Sequence, residues 1–535
     1  MGYDKKDMIE QKIQETIQEA IKHAQEKGSL SFFEPSKVKV EHPENDSFGD
    51  YSSNVALRNS QAAGLKPQEL AQVIIDHIED EAFEKVEIAG PGFINFFLSA
   101  SFLQDQVRQI LKKENGFCQQ SSKEEKILLE FISANPTGQL HVGNGRGAFF
   151  GDVLARIFKK AGFQAETEYY VNDAKNSKQI NELGLTALGE GQSYLTPYLE
   201  KKIEQLQVKA QDSSEAGFLL AQEVQKDNQA FIEKDLKVHF DYWFSEEANL
   251  YNSKKIEETL NFLKEKGVTY EKDQAVWLKT TDYGDKQDWV IVREDGQPSY
   301  LLADIAYHKD KFDRGYDKVI DIWGADHQGH VRKMKAVSQI FDFSGVLEIL
   351  ITQMVNIKNQ KLSKRAGHII LLADLIEEVG LDAARFFYLM KSLDTQMEFD
   401  LELAKEQSQK NPVYYVQYAY ARICSIFKKA KKEGLSWELK KADFDLLTHQ
   451  AEKKLIKQLL RWPEIILQTA SDYQVQRLSH YTMDLASCFH NFYQKCQVVG
   501  EDKDLSQARL SLLKATQITL KDVLETLGIS TPEQM

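Results

Sequence analysis

Ile127-Leu-Leu-Glu-Phe-Ile-Ser133-Ala-Asn-Pro-Thr-Gly-Gln-Leu-His141-Val-Gly-Asn144 is the stretch that sets the fold class. It opens on an apolar, strand-like run, 127–132, and crosses a loop containing Pro136 and Gly138. It then enters the helical pattern Ala148-Phe-Phe-Gly-Asp-Val-Leu-Ala-Arg-Ile157. A strand, a Pro/Gly loop and a helix N-terminus form an anion site, because free N–H groups point outward and the helix dipole favours phosphate. Much later, Lys361-Leu-Ser363-Lys364-Arg365 supplies long basic side chains able to reach a triphosphate. Each stretch alone also has a plainer reading, a loop turn for the first and an exposed basic loop for the second.

Outward from this motif, residues 126–372 alternate strand and helix patterns, with readable strands at 127–132, 165–171, 319–323 and 347–355. Such alternation predicts a doubly wound parallel sheet with crossover helices. Residues 183–286 interrupt it with charged, helix-patterned sequence, which predicts a helical insertion between the halves of the sheet. Residues 1–115 read as an N-terminal α/β module. Ile9, Ile13, Ile17 and Ile21 make one helical stripe, a second helix covers 67–78, and strand-like pieces follow at 86–92 and 93–98. The polar run 118–125 reads as a linker into the second domain, which spans 116–372. Beyond Leu375 no strand pattern stands out. A connecting helical region, 373–410, leads through Asn411-Pro412 to an all-helical C-terminal domain, 411–535.

A chain of 535 residues suggests about three domains. Its 42% hydrophobic and 28% charged content is that of an ordinary soluble globular protein. No apolar run of about 18 residues occurs and the start lacks a signal-type apolar core, so no membrane span and a cytoplasmic address are expected. Lys6 stands where myristoylation would need a hydroxyl residue. Cys118, Cys424, Cys488 and Cys496 are scattered, which supports neither zinc nor disulfides, and no metal-ligand set is read. A net charge of −14 argues against indiscriminate nucleic-acid binding. Positive charge nevertheless gathers late in the chain, at Lys428–Lys432, Lys440-Lys441 and Lys453, Lys454, Lys457 and Arg461. Each cluster alone also reads as a solvated helix face.

The first motif resembles the His-Ile-Gly-His motif of class I aminoacyl-tRNA synthetases in its bacterial arginyl form, and Lys361-Leu-Ser-Lys364-Arg-Ala-Gly367 resembles their Lys-Met-Ser-Lys-Ser motif. Further matches are Tyr170-Val-Asn-Asp173, Arg293-Glu-Asp-Gly-Gln-Pro-Ser-Tyr300, Asp304-Ile-Ala-Tyr-His308, Trp323-Gly-Ala-Asp-His327, Leu381-Asp-Ala-Ala-Arg385 and Asn411-Pro-Val-Tyr-Tyr-Val-Gln-Tyr418. Phe48-Gly-Asp-Tyr51 and Gly90-Pro-Gly-Phe-Ile-Asn-Phe-Phe97 fit as well, so the resemblance to the arginyl-tRNA synthetase family spans essentially the whole chain. It departs at Asn144, where the family motif has a second histidine, at Lys175 after Asp173-Ala174, and at Gln328.

The resemblance implies a Rossmann-like catalytic sheet, a helical anticodon-binding domain, and an N-terminal domain that touches the tRNA elbow. It implies that ATP, accompanied by Mg2+ on its phosphates, and L-arginine form arginyl-adenylate, and that the arginyl group passes to tRNA(Arg). It further implies that tRNA is needed for the first step and that the enzyme is a monomer. His141, Asn144, Lys361 and Lys364 would act on the phosphates, with Gly143, Gly145 and Gly147 leaving room for the nucleotide and Ser363, Asp326 and His327 also contacting it. Nucleotidyl transfer needs positioning and positive charge more than covalent help. The resemblance assigns arginine to Glu130, Ser133, Asn135, Tyr300, Asp304 and Gln328.

Carboxylates aligned to a planar guanidinium gain bidentate bonds that an ammonium cannot match. Tyr300 and Asp304 would share a helix face. On residue chemistry alone Glu130 reads equally as a strand-end salt bridge. Tyr414, Tyr415, Tyr418 and Tyr420 beside Arg422 offer base-stacking faces for RNA, although tyrosines taken singly more often serve packing. A class I enzyme for glutamate or glutamine is disfavoured by an acidic pocket, and one for cysteine by the lack of zinc ligands. A catalytically weak tRNA-binding paralogue is the remaining alternative.

Overall fold

The computed structural model describes residues 8–208, 210, 212–358, 370–435, 438 and 442–535, apart from the side chains of Asp46 and Asn115. Isoleucine spacing builds the first element, since Ile9, Ile13, Ile17 and Ile21 line the buried side of α1 (Ile9–Glu26). After it come β1 (Val40–Glu41), β2 (Tyr51–Ser53), α2 (Val55–Ala63), α3 (Pro67–Ile75), β3 (Phe83–Ala89) and β4 (Phe93–Leu98). The four strands pair antiparallel in the order β1-β2-β4-β3. α3 stops three residues before the end expected from sequence, at the C-cap Asp76. α4 (Ala100–Lys113) closes the module.

The second domain runs through β5 (Lys126–Glu130), α5 (Val142–Lys160), β6 (Gln164–Val171), α6 (Lys178–Ala187), α7 (Pro197–Leu206), α8 (Ser213–Ala230) and β7 (Tyr242–Ser245). It continues with α9 (Lys255–Glu265), β8 (Thr269–Lys272), β9 (Ala275–Leu278), β10 (Trp289–Val292), α10 (Tyr300–Asp313), β11 (Lys318–Gly324), α11 (Val331–Ile340) and β12 (Val346–Thr352). Five parallel strands stand in the order β12-β11-β5-β6-β7, so the winding reverses at β5. Ligands of such sheets sit outside the carboxyl ends of the strands beside that reversal. β5 is buried on both faces, with Ile127 and Leu129 in one apolar cluster and Leu128 in another.

The stretch 183–286 is not purely helical. α6, α7 and α8 share a small apolar core of Ile180, Leu183, Leu199, Leu220, Ala221 and Val224. β7, however, is the fifth strand of the main sheet, and β8 and β9 form an antiparallel trio with β10. Four-residue strands in a charged run carry too short a period to be read. The run 347–355 likewise splits, because Gln353 N donates to Leu393 O after β12. β13 (Val355–Lys358) instead pairs with β14 (Met397–Asp400), a strand beyond Leu375 where none was expected. Between them lie α12 (Leu372–Val379) and α13 (Leu381–Leu389), and α14 (Leu401–Lys405) follows β14.

The C-terminal helices are α15 (Pro412–Lys432), α16 (Gln450–Asp472), α17 (Gln476–Lys495) and α18 (Lys503–Leu527), packed around Trp462, Leu485, Phe489 and Leu520. The N-terminal module docks on α16. Glu464 accepts from Tyr51 OH at 2.7 Å and pairs with His42 Nε2 at 2.8 Å, and Lys457 pairs with Asp50 at 2.6 Å. Lys457 is therefore spent on a domain contact rather than left on a solvated basic face. Cys118, Cys424 and Cys496 are buried free thiols and Cys488 is half-buried. Among the described residues no helix is long and apolar enough to cross a membrane.

Candidate active site

β5 delivers Glu130 at its carboxyl end, and two residues of positive φ follow, Ile132 (68°) and Ser133 (40°). Left-handed backbone at non-glycine residues costs on the order of 1 kcal/mol each. Neighbouring hydrogen bonds hold it in place. Tyr170 N donates to Ser133 Oγ and Asn172 Nδ2 to Ser133 O, both at 3.1 Å, while Tyr169 OH bridges the N–H and carbonyl of Ala134. Ser133 is thus bound to β6. Asn135 is exposed on the loop beyond.

The loop ends at His141, the N-cap of α5. His141 Nδ1 accepts from Gly143 N at 3.0 Å, and Asn144 Oδ1 accepts from His141 N at 2.9 Å. This reciprocal cap gives Asn144 a role that a family histidine would fill differently: it satisfies a backbone donor at the first turn. With Nδ1 accepting, the His141 proton sits on Nε2, ready to donate outward. Desolvation by the surrounding protein lowers the His141 pKa, with Asp326 pulling the other way.

The glycines of α5 serve packing more than access. A Cβ at Gly145 would meet Leu372 Cδ1 at 2.9 Å and Tyr388 at 3.1 Å, one at Gly151 would meet the Phe131 ring at 2.3 Å, and Gly147 is buried against Ile132. Gly143 makes room for the His141 ring itself. At Gly145 close packing by itself requires glycine, whereas a Cβ at Gly147 would meet Ile132 N and Ile322 Cγ2 only at 3.8 and 4.0 Å.

Lys361, Ser363 and Lys364 lie outside the described residues. The chain on their C-terminal side meets the motif directly: Val142 N donates to Ile370 O at 3.0 Å, Leu372 N donates to Leu140 O at 2.9 Å, and Leu371 bridges His141.

Across the sheet, α10 presents Tyr300, Asp304, His308 and Lys311 at helical spacing. Lys311 is fully buried between Glu130, with which it is in close contact, and Asp321 at 2.7 Å. His308 Nε2 meets Asp321 at 3.0 Å. Burial alone would raise Asp321, but Lys311 and His308 hold it below the usual carboxylate range. Burial works against the Lys311 charge, yet Asp321 and Glu130 raise its pKa overall. Beside them Glu168 takes a bidentate pair from Arg314 at 2.6 and 2.9 Å and accepts from Tyr307 OH at 2.7 Å. Glu130 is thus a buried partner of Lys311, not a surface salt bridge.

Asp304 belongs to this group and forms no ion pair among the described residues. Burial pushes its carboxyl up to about 6; His308, His327 and Lys333 pull it down and Glu130 pushes it further up. Glu246, buried at the end of β7, is raised to about 8 by burial and then by Asp304 and Asp173, and it hydrogen-bonds Tyr170. Tyr300 is exposed, and its hydroxyl accepts from Lys178 N at 2.7 Å. Asp326, His327 and Gln328 are exposed on the short helix after β11, at the carboxyl edge of the sheet.

Of the residues assigned together to arginine, Glu130 and Asp304 interact across the site, whereas the Tyr300 hydroxyl is engaged with Lys178 N, and the sequence did not single out Lys311, His308, Asp321 or Glu246. The α10 residues could have been found from their shared face, whereas Glu246 carries no such signal. In the C-terminal domain Tyr414 and Tyr418 have nearly parallel rings 6.4 Å apart, and Tyr415 and Tyr418 flank His490 at 5.0 and 5.9 Å. Arg422 donates to Tyr493 OH at 2.9 Å. Tyr420 is buried, so it packs rather than presenting a stacking face.

Family models match in the same order along the chain. Residues 11–98 match the arginyl-tRNA synthetase N-terminal domain, residues 195–408 the class I (R) tRNA synthetase catalytic domain, and residues 416–535 the DALR anticodon binding domain. An arginine–tRNA ligase of Halalkalibacterium halodurans is 40% identical over 99% of this chain and 100% of its own. That of Bacillus subtilis is 40% identical over 98% and 100%. The arginyl-tRNA synthetase structures of Thermus thermophilus (TM-score 0.80, 99% of this chain and 100% of that one) and Plasmodium falciparum (TM-score 0.79, 100% of both) are each 20% identical and share the fold. This chain belongs to the arginyl-tRNA synthetase family.

Proposed function

We propose that the protein joins L-arginine to tRNA(Arg) at the expense of ATP. The arginine carboxylate attacks the α-phosphorus, the bond to the bridging oxygen breaks, and pyrophosphate leaves with the electron pair. The arginyl group of the resulting adenylate then passes to the terminal ribose hydroxyl of the tRNA. The observation that carries this reading is the carboxylate pair Glu130 and Asp304, beside the helix N-terminus at His141 and at the carboxyl end of a parallel sheet. Lys311 brings a single positive charge to Glu130 and Asp321 together, so with Asp304 beside them the pocket favours one further cation, and a guanidinium fits two carboxylates better than an ammonium.

His141 Nε2–H and the first-turn N–H groups of α5 would take the phosphates. Lys361 and Lys364 would neutralise charge on the leaving pyrophosphate, with Mg2+ arriving on ATP. Asp326, His327 and Ser363 would border the nucleotide. Asn135, Ser133 and Gln328 would border the amino acid backbone groups, and Tyr300 would close the guanidinium end. Tyr415, Tyr418 and Arg422 would hold unpaired anticodon bases. Working divisions near residues 115, 372 and 410, a monomeric state and a cytoplasmic location complete the reading.

Charging of tRNA(Arg) with labelled arginine, lysine, glutamate and glutamine tests it. Arginine alone should be transferred; transfer of any of the others in its place would refute the assignment.

A further inference from the structure

The C-terminal end of α18 is held by a charged clasp that reaches into the catalytic domain. Arg385 of α13 is fully buried, and its Nε donates to Leu527 O at 2.6 Å, just before the C-cap Gly528. Its Nη1 donates to Leu236 O at 3.3 Å and its Nη2 pairs closely with Asp152 of α5. Asp152 also takes Arg156 Nε at 3.1 and 3.2 Å, and Arg156 Nη1 donates to Glu525 O at 3.0 Å. Two guanidinium groups thus bind the last-turn carbonyls of α18, where the helix dipole is negative, and both lean on one carboxylate. Nearby, Lys160 pairs with Asp522 at 2.5 Å. A buried arginine with these partners resists displacement, because losing Asp152 leaves its charge unpaired and losing either carbonyl leaves a buried donor unsatisfied.

α13 carries the contact onward. One turn after Arg385, Tyr388 OH donates to Val142 O at 2.6 Å, in the first turn of α5. The same ring lies against Gly145. α13 is therefore a short strut whose middle, at Arg385, holds the C-terminal end of α18 and whose last turn, at Tyr388, holds the turn that carries His141 and Asn144. The clasp has no room to spare on the α18 side, since a Cβ at Gly528 (φ +70°) would meet the Arg385 guanidinium at 2.4 Å.

We infer that Arg385 and Tyr388 are positioning residues for the adenylation step, fixing the nucleotide end of α5 relative to α18 through α13. This rests on the reading that ATP binds at the start of α5. If both ends of one strut are used, damage at either end should have the same consequence, and damage at both should add little.

The test is a double-mutant cycle in arginine-dependent ATP–pyrophosphate exchange with tRNA(Arg), using full-length enzyme and rates corrected for active sites. Tyr388→Phe removes only the hydroxyl on Val142 O, and Gly528→Ala pushes on Arg385 from the far end. Each should lower kcat/KM for ATP by roughly 3- to 30-fold with the arginine KM unchanged. The double variant should be no worse than the poorer single one. Arg385→Lys, which keeps the charge beside Asp152 but gives up the fork to Leu527 O and Leu236 O, replaces Gly528→Ala if that variant does not fold. Effects that multiply, or variants that lose only thermal stability while keeping parental kinetics, would overturn the inference. His141→Ala is the control: if it keeps parental exchange, the ATP assignment fails, whereas if it is inactive and the strut variants are normal, only the strut fails.

Discussion

At the scale of the residue, the account turns on Asp304. Folding places this carboxyl where ionisation is costly, so its pKa rises from the ordinary 3.8 to about 6. A guanidinium bound there would relieve that cost, and on the proposed reading the pocket's selectivity would come from the relief. Asp304→Asn should raise the arginine KM by roughly 10- to 100-fold while leaving the ATP KM nearly unchanged; equal increases in both would contradict the assignment. The sign of the pH dependence follows. Arginine needs the ionised form, so its KM should be flat above about pH 6 and climb as the pH falls through that value. In Asp304→Asn that climb should vanish. Asp304 was named through the resemblance to the family, and its spacing from Tyr300 adds only that the two stand on one face of α10. The Lys311 ammonium beside Glu130 was not legible, since a pairing between a helix and a strand 181 positions apart leaves no trace in local spacing.

At the scale of the element, α5 explains how an asparagine serves where the family motif has a second histidine. Its Oδ1 caps the His141 N–H, a task for an acceptor rather than a charge. Asn144→Asp keeps an acceptor at a helix N-terminus and should preserve stability, yet it sets a negative charge beside the phosphates. Asn144→Ala should cost about 1 kcal/mol in chemical denaturation. Steady-state kinetics should then find the ATP KM of Asn144→Asp raised at least about tenfold, on ordinary charge-pair energies, and an unchanged KM would remove Asn144 from the phosphate site. The strand–loop–helix around β5 was readable because five apolar residues, interrupted only by Glu130, precede a Pro/Gly loop and a helical stripe. β7 and β14 were not. Each is only four residues long, and each is held by the strand it joins and by core packing of Phe244 or Phe399, neither of which is visible in local spacing.

At the scale of the whole molecule, the N-terminal module and the anticodon-binding helices are joined by side chains 422 positions apart, His42 and Glu464, a pairing no sequence pattern reveals. Glu10 of α1 completes the joint by accepting from Gln468 at 3.2 Å. Glu10, His42 and Glu464 bring their ligand-type atoms within 4.8 Å of one another. Burial, then Glu464, raises Glu10 to about 7, against the pull of His42, Gln468 and Arg461. A carboxyl whose folded pKa is raised binds its proton more tightly in the folded state, so its contribution is full below about 4.5 and is lost as pH rises through about 7. Glu10→Gln should therefore stabilise the protein at pH 8 by on the order of 1–2 kcal/mol and much less at pH 5. Denaturation at the two pH values checks this, and a gain that is larger at pH 5 would contradict it.

The central claim is that an acidic pocket and a helix-terminal phosphate site on one sheet edge activate arginine. The most direct measurement is ATP–pyrophosphate exchange with each of the twenty amino acids, with and without tRNA(Arg). The account predicts exchange with arginine alone and only when tRNA(Arg) is present; exchange driven by glutamate or glutamine, or none with arginine and tRNA together, would contradict it.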